Sequence, residues 1–262
     1  MRRLNYIVLI IFLFTGSIKA QENNRMLTNG LTFLDTPYMA HTLDESDNEE
    51  LVINRNEVDC TTFVEYVLAM SLPSRYREEM SEGEYVDNIR NIRYRDGEID
   101  GYPSRLHYMT DWINNNIRNG YIKDVTAARS KDMIPISLSY MSTHPELYKH
   151  LKNSPENRRA IAAQEKKLSG QKVHYLPKEK LPDEGLPWIK NGDIIAFTTN
   201  IKGLDISHVG LAIYKDEKLH LLHASLNKKK VIIEEIPLSK QLALNKKVTG
   251  IRVLRMNKCL KD

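Results

Sequence analysis

The hydrophobic rhythm of the chain changes near residue 170. Before it, apolar residues recur at helical spacing. Residues 60–71 form an apolar run behind Asp59, a residue type that accepts hydrogen bonds from a first helical turn, and Leu72-Pro73 stops the run. Ser104 is placed to open a second helix, with Leu106, Met109, Ile113 and Ile117 on one stripe and Gly120 at its end. Ser154-Pro155-Glu156 opens a third, which Gly170 closes. Residues 21–55 read as a polar lead with a short helix or two, and 74–92 carry weak helical spacing. Later the period falls to two. Residues 193–199, 207–214, 219–225, 230–236 and 249–255 are short, β-branched or alternating, and separated by turn residues. They predict consecutive strands of an antiparallel sheet. Helices first and sheet second is an α+β order, which leaves the 60–71 helix free to pack on the sheet.

The start of the chain has a different pattern. Arg2 and Arg3 precede an unbroken apolar run over 7–14, and small residues end at Ala20 before Gln21. These flanks predict a secretory signal peptide over 1–20, cleaved near Ala20, and delivery to the periplasm or the exterior. The run is too short to span a bilayer comfortably and no later stretch is apolar enough, so no stable membrane anchor is expected. Residues 21–262 are expected to form one domain, with a helical insertion over about 74–170 and a sheet core over about 187–256. The net charge of +4 includes Arg2, Arg3 and Lys19, and without the leader it falls to about +1. Near neutrality argues against a nucleic-acid partner, which calls for a concentrated basic surface. Two cysteines in an exported chain suggest a disulfide. Cys259 lies in a polar tail, NKCLKD, and a bridge to Cys60 would close a very long loop.

Cys60 is the residue that carries chemistry. It sits in the first turn of its predicted helix, in VDCTTFVEYVLAM (58–70), rather than deeper in the apolar run. In SHVGLAIY (207–214), His208, Gly210 and Ala212 share one strand face, and in the next strand Leu219, Leu221 and His223 share one. Gly210 and Ala212 would let a helix approach that face closely, so the reading places His208 and His223 side by side, facing the helix of Cys60. A free thiol has a pKa of about 8.5. A helix N-terminus favours the thiolate by about 0.3–1 kcal/mol, and a neighbouring histidine does more. A second histidine would orient the first, and the first N–H groups of the helix, including that of Cys60, would stabilise an oxyanion. Taken singly, Cys60 is a packing residue and His208 a sheet histidine; together on facing elements they point to catalysis. His220 falls on the opposite face from His223. Zinc would need a fourth ligand beyond Cys60, His208 and His223, so neither metal nor cofactor is expected.

DCTTFVEY, SHVGLAIY and LLHAS, in that order behind a signal peptide, resemble the NlpC-type cell-wall hydrolases, a papain-like group. Thr62 stands where the broader group usually has glycine. With GYPSRLHYMTDW (101–112) and GDIIAFTTNIKGLDISHVG (192–210), the likeness is to the AmiA-like, N-acetylmuramoyl-L-alanine amidase-like branch, over most of residues 50–255. The resemblance implies a papain-like cysteine hydrolase core, a catalytic helix packed on an antiparallel sheet. It further implies Cys60 as nucleophile, His208 as base and His223 as orienting residue. The implied substrates are peptidoglycan fragments, with cleavage of the N-acetylmuramoyl-L-alanine bond of muropeptides, including anhydro-muropeptides. Arg105, His107, Tyr108 and Ser207 are the expected substrate-binding residues, Arg105 because its planar fork suits muropeptide carboxylates. Three alternatives remain: a γ-D-glutamyl–diamino acid endopeptidase with the same triad, a transglutaminase-like acyl transferase, whose third residue would be aspartate where this chain has His223, and a non-catalytic muropeptide-binding module.

Overall fold

In the computed structural model, residues 24–74 and 79–257 are described. Residues 1–20, read above as a signal peptide, and Cys259 lie outside them. The elements in chain order are α1 (Arg25–Leu31), α2 (Cys60–Ser71), α3 (Glu82–Arg93), α4 (Met109–Arg118), β1 (Ile122–Asp124), β2 (Met133–Pro135), α5 (Tyr140–Thr143), α6 (Lys149–Lys152) and α7 (Pro155–Leu168). There follow β3 (Lys172–His174), β4 (Leu176–Pro177), β5 (Ile194–Thr199), β6 (Ile206–Lys215), β7 (Lys218–Ser225), β8 (Lys230–Ile233), α8 (Leu238–Leu244) and β9 (Val248–Met256). The fold is mixed, with helices on an antiparallel sheet of order β1-β9-β5-β6-β7-β8 and β4 also paired to β9. β2 and β3 form a separate ribbon.

All five predicted strands form, but they are not all neighbours in sequence order. After β8 the chain turns through α8 and carries β9 back across the sheet to pair with β5. Burying Leu238 and Leu242 of α8 against Leu221, Ile251 and Val253 rewards that crossover. The stretch read as a helical insertion also supplies β1, the strand beyond β9.

Helix α2 begins where the sequence predicts. Asp59 Oδ1 accepts from the Thr62 N–H at 2.7 Å, and Thr62 Oγ1 accepts from the Asp59 N–H at 2.9 Å. This reciprocal box satisfies two donors that a helix start would otherwise leave open. Phe63, Val64, Tyr66, Val67 and Leu68 are buried on all sides of the helix. Glu65 is buried with them, its carboxylate bonded by Arg93 Nε of α3 at 2.7 Å. The next helix does not begin at Ser104. Ser104 Oγ bonds the Gly101 carbonyl at 2.7 Å within a tight turn, and Arg105 pairs in extended conformation with Tyr94. Helix α4 starts at Met109, and its open N-terminus is capped from a distance: Asp205 Oδ2 accepts from the Thr110 N–H at 2.6 Å.

Two cores flank the sheet. One joins α1–α4 to Ile194, Ala196, Val209, Leu211, Leu222, Ala224 and Leu254. The other joins α8 and Leu181 and Ile189 to Ile195, Phe197, Ala212, Leu221 and Val253. Among the described residues no helix is long and apolar enough to cross a membrane.

The buried Glu65–Arg93 pair gives a stability prediction. Arg93→Leu strands a carboxylate in the core and is expected to cost about 3–5 kcal/mol, whereas Glu65→Leu/Arg93→Leu recovers most of that loss. Urea denaturation of the three proteins checks it; a double variant as unstable as the single would refute the account.

Candidate active site

Cys60 is held by three pieces of chain. Residues 35–38 lie along the edge of β8, with the Asp35 N–H donating to Val231 O at 3.0 Å and the Tyr38 N–H to Lys229 O at 2.9 Å. The same segment pairs with Val58, whose N–H donates to Pro37 O at 3.0 Å, two residues before Cys60. The capping box then starts α2. On the sheet side the thiol meets the backbone N–H of Val209 in β6. The β6–β7 ladder runs from Leu211↔Leu222 outward, so the Val209 end of β6 is left for Cys60 rather than for β7.

The two histidines come together, but on the other face of the sheet from the body of α2. His208 stands opposite Phe197 and packs edge-on against its ring at 5.4 Å. Phe197 belongs to the α8 core, while Val209, Leu211 and Ala224 carry α2. Gly210 therefore admits a histidine, not a helix. A Cβ at Gly210 would lie 2.9 Å from His223 Cβ, and its absence lets His223 sit across the strand gap. His208 Nε2 and His223 Nδ1 are 2.7 Å apart. His220 faces the other way, with Nδ1 donating to Glu234 O at 2.9 Å.

Burial governs the charges. It pushes the Cys60 thiol up to about 12, with the Asp59 carboxylate adding to the rise and the Val209 N–H and Thr61 hydroxyl opposing it. Burial, then the neighbouring His223, push His208 down to about 3, and burial lowers His223 to about 4. At neutral pH the three groups are a thiol and two uncharged imidazoles. Tyr38, which sequence reading missed, lies near Cys60; burial, then charge on Cys60 and Asp59, raise its phenol to about 12. Nothing local in the sequence marks it, because it is brought there by pairing with β8.

The expected substrate-binding residues fare differently. Arg105 is buried and committed: Nη1 pairs with Asp44 at 2.9 Å and Nη2 with Glu49 at 2.6 Å. Its fork is already filled by protein carboxylates, so it is not a free carboxylate receptor. Tyr108 is also buried, its hydroxyl donating to Glu165 at 2.6 Å and accepting from the Met141 N–H at 2.9 Å, and it offers no ring face to a sugar. His107 is half-buried, donating through Nε2 to Tyr102 O at 2.8 Å with its ring tilted against that of Tyr102 at 4.2 Å. Ser207 is exposed at a bulge in β6, beside His208. A cavity of about 200 Å³ lies farther along the same strands. Thr110, Ile136, Val173, Thr198, Asp205 and Arg252 are among its walls. Arg252 is paired through Nη2 to Asp124 at 2.8 Å, and its Nε and Nη1 have no protein partner. Among the described residues no group of three histidine, cysteine, aspartate or glutamate side chains is arranged to hold a metal.

A half-buried thiol at a helix start, close to a strand whose histidine is paired to another, is an arrangement that nucleophilic acyl chemistry could use. The chain belongs to the AmiA-like family, described as N-acetylmuramoyl-L-alanine amidase-like, whose pattern matches residues 28–251. An N-acetylmuramoyl-L-alanine amidase from Bacteroides uniformis ATCC 8492 has 59% identity and a TM-score of 0.88, covering 90% of this chain and 100% of that one. A candidate xylanase from Bacteroides fragilis has 62% identity and a TM-score of 0.86, covering 88% and 100%. A Legionella pneumophila protein at 22% identity and a TM-score of 0.66 shares the fold. No curated protein matches.

An uncharged thiol predicts how the free enzyme meets an alkylating agent. The iodoacetamide rate at Cys60 should climb about tenfold per pH unit between about pH 6 and 9, because only the thiolate reacts. A rate already at its plateau near neutral pH would mean a preformed thiolate–imidazolium pair.

Proposed function

We propose that the protein is a cysteine-dependent amidase that cuts the N-acetylmuramoyl-L-alanine bond of muropeptides, including anhydro-muropeptides, after export and removal of its leader near Ala20. The observation that carries the reading is the 2.7 Å contact between His208 and His223 beside the strand position that receives Cys60. The family match of residues 28–251 supplies the reaction class. The core is papain-like on this reading, with α2 as the catalytic helix.

Cys60 Sγ attacks the lactyl carbonyl carbon while its proton passes to His208. With both groups uncharged at rest, the transfer accompanies attack rather than preceding it. The carbonyl oxygen becomes an oxyanion, stabilised by the Cys60 N–H at the helix start and by the Tyr38 hydroxyl. As the C–N bond breaks, His208 returns the proton to the alanine nitrogen, and the stem peptide leaves. Water, deprotonated by His208, then hydrolyses the thioester to the sugar acid and the thiol. His223 orients His208 throughout.

The cavity takes the sugar side. Ile206 is one of its walls and stands two residues from His208, a separation of about 6–7 Å along a strand. Arg252 is offset by its Asp124 partner, and Lys202 and Asp205 carry opposite charges, so the walls suit a neutral hydroxyl- and amide-bearing ring better than an anion. The xylanase assignment of one relative has less support, because glycosidases place two carboxyl groups about 5–10 Å apart across the bond. The groups converging here are a thiol, two imidazoles and a phenol.

Product analysis tests the reading. From a defined disaccharide-tetrapeptide, mass spectrometry should find a free muramoyl sugar and a stem peptide beginning with L-alanine. L-Alanyl-D-glutamate left on the sugar would make the enzyme an endopeptidase instead.

The site residues make a second prediction. Cys60→Ala and His208→Ala should each reduce kcat by about 10³-fold or more, since such residues act as a unit. His223→Gln should cost clearly less, because an amide still bonds the imidazole of His208. Near wild-type turnover in Cys60→Ala would end the thiol mechanism.

A further inference from the structure

His223 spends one ring nitrogen on His208, and among the described residues the other, although buried, has no hydrogen-bond partner. That atom, Nε2, faces the Glu234 carboxylate at 4.0 Å. Given the reading of Cys60 and His208 as nucleophile and base, every proton in the chain of rings can be placed. To receive the thiol proton, His208 must present a bare nitrogen, and its Nε2 is occupied by His223, so the bare atom is Nδ1. A neutral imidazole then carries its proton on Nε2 and donates it to His223 Nδ1. His223 Nδ1 must be bare in turn, which puts its own proton on Nε2. A buried N–H without an acceptor is costly, and the opposite tautomer of His223 would reverse the whole chain.

We infer that Glu234 is a positioning residue whose carboxylate accepts from His223 Nε2–H and thereby selects the tautomers of both histidines. Its placement is built into the sheet. Ile232 stands opposite His223, so Glu234, two residues on, projects to the same face. Its backbone is pinned from both sides, with the N–H donating to Leu221 O at 2.8 Å and the carbonyl accepting from His220 Nδ1 at 2.9 Å. His220 therefore holds the chain of Glu234 although it points away from the site. The side chain is 18% exposed, and a shift of about 1 Å would bring it within hydrogen-bond range. When His208 takes the thiol proton, the positive charge spreads toward His223, and the carboxylate lies at the far end to meet it. Among the described residues, the titratable groups in polar contact with His223 are His208 from β6 and Glu234 just beyond β8.

Imidazole ¹⁵N NMR combined with kinetics tests the assignment. The wild-type protein should show His223 protonated on Nε2 with Nδ1 bare. Glu234→Leu should lose that single tautomer and lower kcat by about tenfold or more, with KM within about twofold. Glu234→Gln keeps an acceptor and should restore at least about one third of the wild-type kcat. If the leucine variant is poorly folded, Glu234→Ala serves the same comparison. His223 protonated on Nδ1 in the wild type, an unchanged kcat in the leucine variant, or a glutamine variant as impaired as leucine would each overturn the role of Glu234. The NMR readout does not depend on which bond is cut, so an error in the assigned reaction is told apart from an error here.

Discussion

The site depends on where helix α2 begins. Asp59 and Thr62 exchange hydrogen bonds, and this makes Cys60 the first helical residue rather than the last of a loop. The pairing of Val58 with Pro37 then sets the helix start against the sheet edge. A one-residue slip would rotate the thiol by about 100° around the helix and remove it from Val209. The all-round burial of α2 makes such a slip expensive, because it would turn Glu65 away from Arg93.

Desolvation is the second constraint. Desolvation pushes the Cys60 thiol up and both imidazoles down, which disfavours a stored ion pair at rest. On the proposed mechanism, the driving force for attack comes from groups that bind developing charge: the helix N–H groups, the Tyr38 hydroxyl and, behind the histidines, Glu234. On this view the buried surroundings hold the thiol quiet until an acyl group arrives.

Much of this was legible in the chain, for local reasons. Asp59 and Thr62 sit at capping spacing, and strand alternation put His208 and His223 on a shared face and His220 on the other. The errors lay in long-range partners. Arg105 looked free because Asp44 and Glu49, which occupy its fork, lie far away in sequence in an acidic loop. Tyr108 looked available because Glu165 arrives from α7. Ser104 looked like a helix cap, but the capping carboxylate comes from Asp205. The small residues after His208 suggested a helix on that face; Gly210 instead makes room for His223 from the neighbouring strand. Alternation gives a face but not what covers it.

The segment 35–38 joins the beginning of the chain to Lys229 and Val231, near its end. Tyr38 has no partner for its backbone N–H in Lys229 until that late strand exists. A chain still being synthesised therefore holds Cys60 without the Tyr38 segment fixed to the strand at Lys229 and Val231. If the proposed reaction holds, a peptidoglycan-cutting site of this kind is completed only when the chain is nearly finished.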